Sequence, residues 1–300
     1  MEKVILYYKY IEIQYPEQIR KWQRELCESL NITGRIILAH EGVNGTVSGS
    51  PESIEKYIDA MNNHDLFKEI DFKDATSSEP AFPKLKISVK NEIVNLGLDP
   101  TKVTVKDSGR RLTPDEIHEL LANPPEDLVF IDTRNDYEIA IGKFKHSIDP
   151  NLKNFREFPK YIDDNIESYK DKTVLMTCTG GVRCERATAY LKQKDVAKEV
   201  LHMNGGIHRY IEKYPDGYFR GKNYVFDKRI AVAANDDILG KCLRCEKPCD
   251  DYTNCLNVLC NKHYISCSDC LDKYHNTCHE KCQHLIDTKQ VEKRVPLEKI

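Results

Sequence analysis

Apolar positions recur along the first hundred residues with two different periods. Residues 3–13 read as a strand. Pro16 opens a helix to Leu30 that places Ile19, Trp22, Leu26 and Leu30 on one stripe. Gly34 to Leu38 forms a second strand, and the run from Gly42 to Gly49 turns into a third. Ser50 stands where it can cap a helix starting at Pro51, with Ile54, Tyr57, Ile58 and Met61 inward. Strands over 68–73 and 84–94 close the unit. His40-Glu41-Gly42-Val43-Asn44-Gly45 joins two of these strands, as a plain glycine-rich turn or as a polar loop facing a site.

This β-α-β-β-α-β order is the ferredoxin-like α+β plan, which hosts many functions and identifies none. A linker with Pro100, Gly109, Arg110 and Arg111 leads to a second pattern. Thr113-Pro114-Asp115-Glu116 is a helix start with Glu116 in the capping-box position. Leu128–Asp132 is continuously apolar up to its last residue, as in a parallel strand covered on both faces. Val174–Thr177 and Glu199–His202 repeat that character with helical segments between them. Strands alternating with helices predict a doubly wound α/β domain. The expected divisions are 1–98, 110–225 and 226–300, with the charged end from Asp287 to Ile300 frayed.

The chemistry concentrates at Cys178-Thr179-Gly180-Gly181-Val182-Arg183-Cys184. An apolar strand stops at a cysteine, a glycine-rich loop follows, and a helix starts beyond it. Backbone N–H groups and a helix N-terminus then converge on one sulfur, favouring thiolate and holding an anion. Such loops belong at the C-terminal end of a parallel strand, where α/β folds place their sites. Cys184 is either a second redox thiol for Cys178 or a small side chain filling the turn.

Composition changes the picture at one place. The chain has 300 residues, is 40% hydrophobic and 31% charged, and carries a net charge of −3. Its N-terminus lacks a signal-peptide pattern and no stretch is long and apolar enough for a membrane span, so a cytoplasmic protein is expected. Of its 12 cysteines, nine lie from Cys242 onward: Cys242, Cys245, Cys249, Cys255, Cys260, Cys267, Cys270, Cys278 and Cys282. Two Cys-x2-Cys knuckles are the spacing of structural zinc, and eight thiolates fill two tetrahedral sites. One cysteine is left over, or more if His263, His275, His279 or His284 ligates. A small Cys-rich module needs metal or cross-links, and the alternative to zinc is disulfides.

The second unit resembles the rhodanese family in Ile131-Asp132-Thr133-Arg134, Tyr137-Glu138, Gly142-Lys143-Phe144, the loop from Cys178 to Arg183, and Gly205-Gly206-Ile207. The resemblance maps the nucleophile, a persulfide carrier in rhodaneses, onto Cys178, with Thr179, Gly180, Gly181 and Val182 holding the anion. Asp132 and Arg134 then brace the strand end. The Cys-x4-Arg loop is one residue shorter than in the related phosphatases, which argues against a phosphatase. The whole chain is similar to the rhodanese-domain tRNA uridine hydroxylases. It shares the loop through Glu185, the run Gly221 to Asp227 and the cysteine-rich tail. That resemblance implies an acylphosphatase-like N-terminal domain and oxygen-dependent 5-hydroxylation of the wobble uridine, position 34 of tRNA. The site would be Cys178, Arg183 and Cys184, with molecular oxygen as co-substrate and no flavin or nucleotide motif.

An RNA substrate calls for cations and aromatic faces. Between His208 and Ile230 stand Arg209, Lys213, Arg220, Lys222, Lys228 and Arg229, interleaved with Tyr210, Tyr214, Tyr218, Phe219, Tyr224 and Phe226. Either Arg209, Arg220, Lys222, Lys228 and Arg229 meet an anticodon loop whose bases stack on the rings, or the rings pack onto the α/β domain. Neither DNA nor a membrane is expected as a partner. A sulfurtransferase passing persulfide sulfur is the enzymatic alternative, and an adaptor with a vestigial loop the non-enzymatic one.

Overall fold

The computed structural model describes residues 1–295, so the last part of the charged end lies outside the described residues. Strand β1 (Glu2–Tyr10) leads to α1 (Pro16–Ser29), β2 (Thr33–Ala39), β3 (Gly42–Gly49), α2 (Pro51–Asn63), β4 (Lys73–Ser77) and β5 (Leu85–Val89). They form a five-stranded sheet in the order β4-β1-β3-β2-β5, with only the β2–β5 pair parallel. This is the acylphosphatase-like form of the ferredoxin plan. Ser50 accepts the Ser53 amide as the N-cap of α2, and Ile54, Tyr57 and Met61 are fully buried.

Three strand limits differ from the sequence pattern. The first is at β1, which ends at Tyr10 rather than Ile13 because the Ile11 and Ile13 amides donate to the carbonyls of Glu41 and His40 in the β2–β3 turn. Residues 68–72 form a turn and an irregular stretch rather than a strand, because Ile70 and Phe72, two positions apart, both pack on the core and mimic a strand period. The last strand stops at Val89, after which the chain crosses to the second domain, where Leu96 enters that domain's core. The run around Glu41 is a two-residue connection whose glutamate reaches across domains. It accepts the Ile93 amide at 2.8 Å and pairs with buried Arg186 at 2.8 Å.

The second domain comprises β6 (Arg110–Leu112), α3 (Pro114–Ala122), β7 (Leu128–Asp132), α4 (Asp136–Ile139), β8 (Gly142–Phe144), α5 (Phe158–Asp164), β9 (Thr173–Thr177), α6 (Val182–Lys192), β10 (Glu199–Met203) and α7 (Gly206–Lys213). The parallel sheet runs β6-β10-β9-β7. Ile131, Val174 and Met176 face one core and Phe130, Leu175 and Leu201 the other, so every central strand is apolar on both sides. Thr113 and Glu116 form the capping box of α3.

β11 (Phe219–Tyr224) pairs with β8 and with β12 (Ala231–Ala233), tying the tail to the α/β domain. The hairpin β13 (Tyr252–Asn254) and β14 (His263–Ile265) and helices α8 (Ser268–Lys273) and α9 (Glu280–Asp287) complete the tail. Among the described residues no helix is long and apolar enough to cross a membrane.

Candidate active site

The loop after β9 returns to α6 within four residues, a turn that needs a left-handed residue just before the helix. Gly181 supplies it with φ +102°. Gly206, at φ +64°, lets α7 close against the loop, since a Cβ there would lie 2.4 Å from the Cys178 carbonyl. Amides of Ile207 and His208 instead donate to the carbonyls of Cys178 and Thr179 at 2.9 and 3.0 Å. With its carbonyls turned outward to α7, the loop points amides inward. Gly181 N–H donates to the Cys178 sulfur at 3.1 Å, and the Cys184 amide and thiol join it.

Cys178 has no exposed surface. Burial by itself pushes its thiol up, but the Cys184 thiol, the Arg183 guanidinium and the two amides outweigh it and hold it at about 6. Cys184 moves the other way, because burial and the neighbouring Cys178 charge both keep it protonated. It therefore stands as a thiol donor to the Cys178 thiolate, with Thr133 Oγ1 3.9 Å from its own sulfur. A lowered thiol is neutral below its pKa, so alkylation by iodoacetamide should climb as pH rises through about 6 and level off above it. An ordinary thiol would keep gaining rate up to about pH 8.5. A midpoint near 8.5 for Cys178, followed by mass spectrometry of the modified peptide, would contradict this electrostatic account.

Arg183 acts on the sulfur as a field rather than a contact. Its guanidinium is held by Glu138 through two bonds of 2.7 Å and also donates to Thr179 Oγ1 at 3.1 Å. Glu138 is fully buried; burial favours its neutral form, but Arg183 and Arg134 keep the carboxyl below the usual range. Asp132 and Arg134, both without exposed side-chain surface, form a forked pair at the end of β7, and Arg134 also donates to the Gly142 carbonyl at 2.7 Å. The pair braces the base of the site and does not reach the loop sulfur.

Cys178 borders a cavity of about 730 Å³, within the usual span of ligand sites, walled by all three parts of the chain. Leu6, Tyr8 and Lys73 come from the N-terminal sheet, Thr179 and Arg183 from the loop, and Phe226 and Arg229 from the tail. Tyr8 donates to buried Glu185 at 3.1 Å and Tyr10 to the Val182 carbonyl at 3.1 Å, seating β1 on the loop. Neither tyrosine belongs to a local motif. Their signal was β1 itself, apolar or aromatic on both faces where a one-sided sheet alternates.

The aromatic and basic segment divides. Tyr210 and Phe219 are in the core, Tyr214 and Tyr218 pack beside His118, and Tyr224 packs in the tail. Phe226, 49% exposed, stands at the cavity with Arg183 6.0 Å from its ring centre. Arg209 pairs with Asp71 and Glu212, Arg220 with Asp237, Lys222 with buried Asp250, and Arg229 with Asp227. The Lys228 amide donates to the Ala81 carbonyl. Arg229 lines the cavity, as do Arg35 and Arg156, which the sequence pattern did not single out.

In the tail, Cys242, Cys245, Cys267 and Cys270 form one group and Cys255, Cys260, Cys278 and Cys282 a second, with the sulfurs of each within 4.8 Å of one another. Neighbouring sulfurs of a tetrahedral zinc–thiolate centre stand about 3.8 Å apart. Cys245–Cys267 at 3.6 Å and Cys260–Cys278 at 3.5 Å fit that edge, and both are far too long for a disulfide of about 2.05 Å. Cys249 lies outside both groups, with its sulfur 3.5 Å from the Asp251 amide. Both groups consist of cysteine alone, and His263 is stacked on Tyr252.

A rhodanese loop holding a thiolate, roofed by an acylphosphatase-like domain and followed by a tetra-cysteine tail, defines a rhodanese-class enzyme. Profiles of the UPF0176 acylphosphatase-like domain, the rhodanese-like domain and the rhodanase C-terminal region match residues 2–93, 113–213 and 220–283. The tRNA uridine(34) hydroxylase of Aster yellows witches'-broom phytoplasma is 40% identical over 285 residues, 93% of this chain and 91% of its own. Those of Acholeplasma laidlawii and Bacillus mycoides are 38% and 39% identical, over 97% and 94% of this chain and 92% and 89% of theirs. The chain belongs to the tRNA uridine(34) hydroxylase family.

Proposed function

We propose that this protein hydroxylates C5 of uridine-34 in the anticodon loop of tRNA, in the cytoplasm, with Cys178 as nucleophile and molecular oxygen as co-substrate. The carrying observation is a thiolate held at about 6 in the wall of a cavity that all three parts of the chain build. Relatives matched over more than nine-tenths of their own length bear the name of that activity. The units that assemble the site are 1–98, 110–225 and 226–300. The target base must leave the anticodon stack to reach Cys178, and Phe226 offers it a face at the entrance. Arg35 and Arg156 at the cavity, with Lys228 beside its lining residues Asp227 and Arg229, supply cations for phosphates. Arg229, Arg209, Arg220 and Lys222 contribute to the same surface only by exchanging carboxylate partners for phosphate. Zinc occupies the two four-cysteine groups and holds the tail that carries the cavity's outer wall.

Nucleoside mass spectrometry of tRNA from cells with and without the protein tests this. 5-Hydroxyuridine at position 34 should disappear with the gene and return with the intact chain. Unchanged hydroxylation beside loss of a thiolated nucleoside or of thiosulfate sulfur transfer would favour the persulfide-carrying alternative, which the Cys-x4-Arg loop also permits.

A further inference from the structure

One buried charge at the cavity has no part in the chemistry so far. Lys73 opens β4 with a side chain only 1% exposed, yet borders the same cavity as Cys178. Its ammonium pairs with Asp71 at 2.8 Å and stands 5.3 Å from the centre of the Tyr8 ring. It lies over the turn that closes the loop, since a Cβ on Gly205 would come within 3.3 Å of Lys73 Cε. An ammonium has three donors, and Asp71 is its one acceptor at hydrogen-bond distance among the described residues. Burying a cation this incompletely paired is unfavourable, and an apolar side chain would serve the sheet better. Burial lowers its proton affinity, which Asp71 partly restores, while Arg209 shares that carboxylate and His208 and Cys178 lie in its field.

We propose that Lys73 is a catalytic residue whose ammonium binds a carbonyl oxygen of the target pyrimidine and holds the negative charge that develops there. The proposal rests on the uridine reading above. In the step concerned, the Cys178 sulfur forms a bond to C6 and the C5=C6 π bond breaks. Its electron pair moves through C4 onto O4. No proton, oxidant or reductant is consumed, and Lys73 stays protonated while donating to O4. The enolate formed is electron-rich at C5, the carbon to be hydroxylated. A fixed cation at the developing oxyanion is the arrangement that electrostatic catalysis requires.

The test uses the full-length, metal-loaded protein, Lys73→Met and Lys73→Arg, and tRNA bearing 5-fluorouridine at position 34. Fluorine at C5 makes C6 more open to thiolate attack, and a proton from water added at C5 of the enolate traps the Cys178–C6 adduct, so it should persist through denaturing electrophoresis. Lys73→Met should form it about 100-fold more slowly, the scale of losing one oxyanion donor, with the melting temperature equal or higher and tRNA affinity unchanged. Lys73→Arg, keeping the charge, should recover part of the rate. Without any tRNA, Lys73→Met should also move the pH midpoint of Cys178 alkylation upward, which a merely structural lysine would not do. Equal adduct rates in wild type and Lys73→Met would overturn the proposal. So would no adduct from wild type that still hydroxylates unmodified tRNA, leaving the uridine reading intact. Lysine-dependent adducts without any 5-hydroxyuridine from unmodified tRNA would support Lys73 and sink the hydroxylase reading instead.

Discussion

Cys178→Ala is expected to abolish 5-hydroxyuridine at the wobble position while fold and tRNA affinity stay nearly intact. Losing a covalent nucleophile typically removes about 10⁶-fold of rate, which in cells reads as complete absence of the product. The structural cost is small, about 1 kcal/mol, because only one sulfur leaves a loop whose shape is held by other bonds. Gly181 and Gly206 set the turn, and the Ile207 and His208 amides anchor its carbonyls. The cations beside the cavity are untouched, so tRNA binding should persist. Cys184→Ser keeps a hydroxyl donor beside the thiolate and should be mild, whereas Cys184→Ala removes it and should raise the alkylation midpoint of Cys178. A resolving-thiol role predicts otherwise, with Cys184→Ser nearly as severe as Cys178→Ala. Normal wobble hydroxylation in cells carrying only the Cys178→Ala protein would end this mechanism.

The loop was legible in the sequence because its information is local. A strand, two glycines, an arginine and a helix start lie in consecutive residues, and their spacing alone implies amides around a sulfur. The same holds for the knuckles at Cys242-x2-Cys245 and Cys267-x2-Cys270, which meet in one group. The second group was less direct, since Cys255, Cys260, Cys278 and Cys282 share no single spacing, and only the fold excludes Cys249. Long-range partners left no local trace. Glu138 stands 45 positions from Arg183, and Tyr8 stands 177 from Glu185. Lys73 stands at the end of the strand expected over 68–73, and nothing nearby in the sequence says that another domain covers it. The segment after His208 divides between the two readings its sequence allows. Its rings alternate with cations, and while the β11 pairing with β8 draws Phe219 inward, Phe226 beyond the strand stays exposed at the cavity.

Removing metal should unfold the tail while the α/β core stays folded, and the loss should be felt at Cys178. Elemental analysis should find about two zinc ions per chain, one for each four-cysteine group. Structural zinc contributes about 10–16 kcal/mol of apparent binding energy in small modules, far more than the short hairpin β13–β14 and two short helices can supply. A chelator should therefore expose residues 242–282 to protease, while a separate thermal transition of the core survives. The tail's own core includes Ile141 and packs against Tyr137, and Tyr252 donates to the Tyr137 carbonyl at 2.7 Å. Tyr137 adjoins Glu138, the carboxylate that fixes Arg183, so loosening this wall weakens the field at the sulfur. The alkylation midpoint of Cys178 should then rise from about 6 on chelation and fall back when zinc is restored. Metal-free protein with intact disulfides in its mass spectrum would refute the zinc assignment. A midpoint indifferent to chelation would show that Glu138 is held without help from the tail.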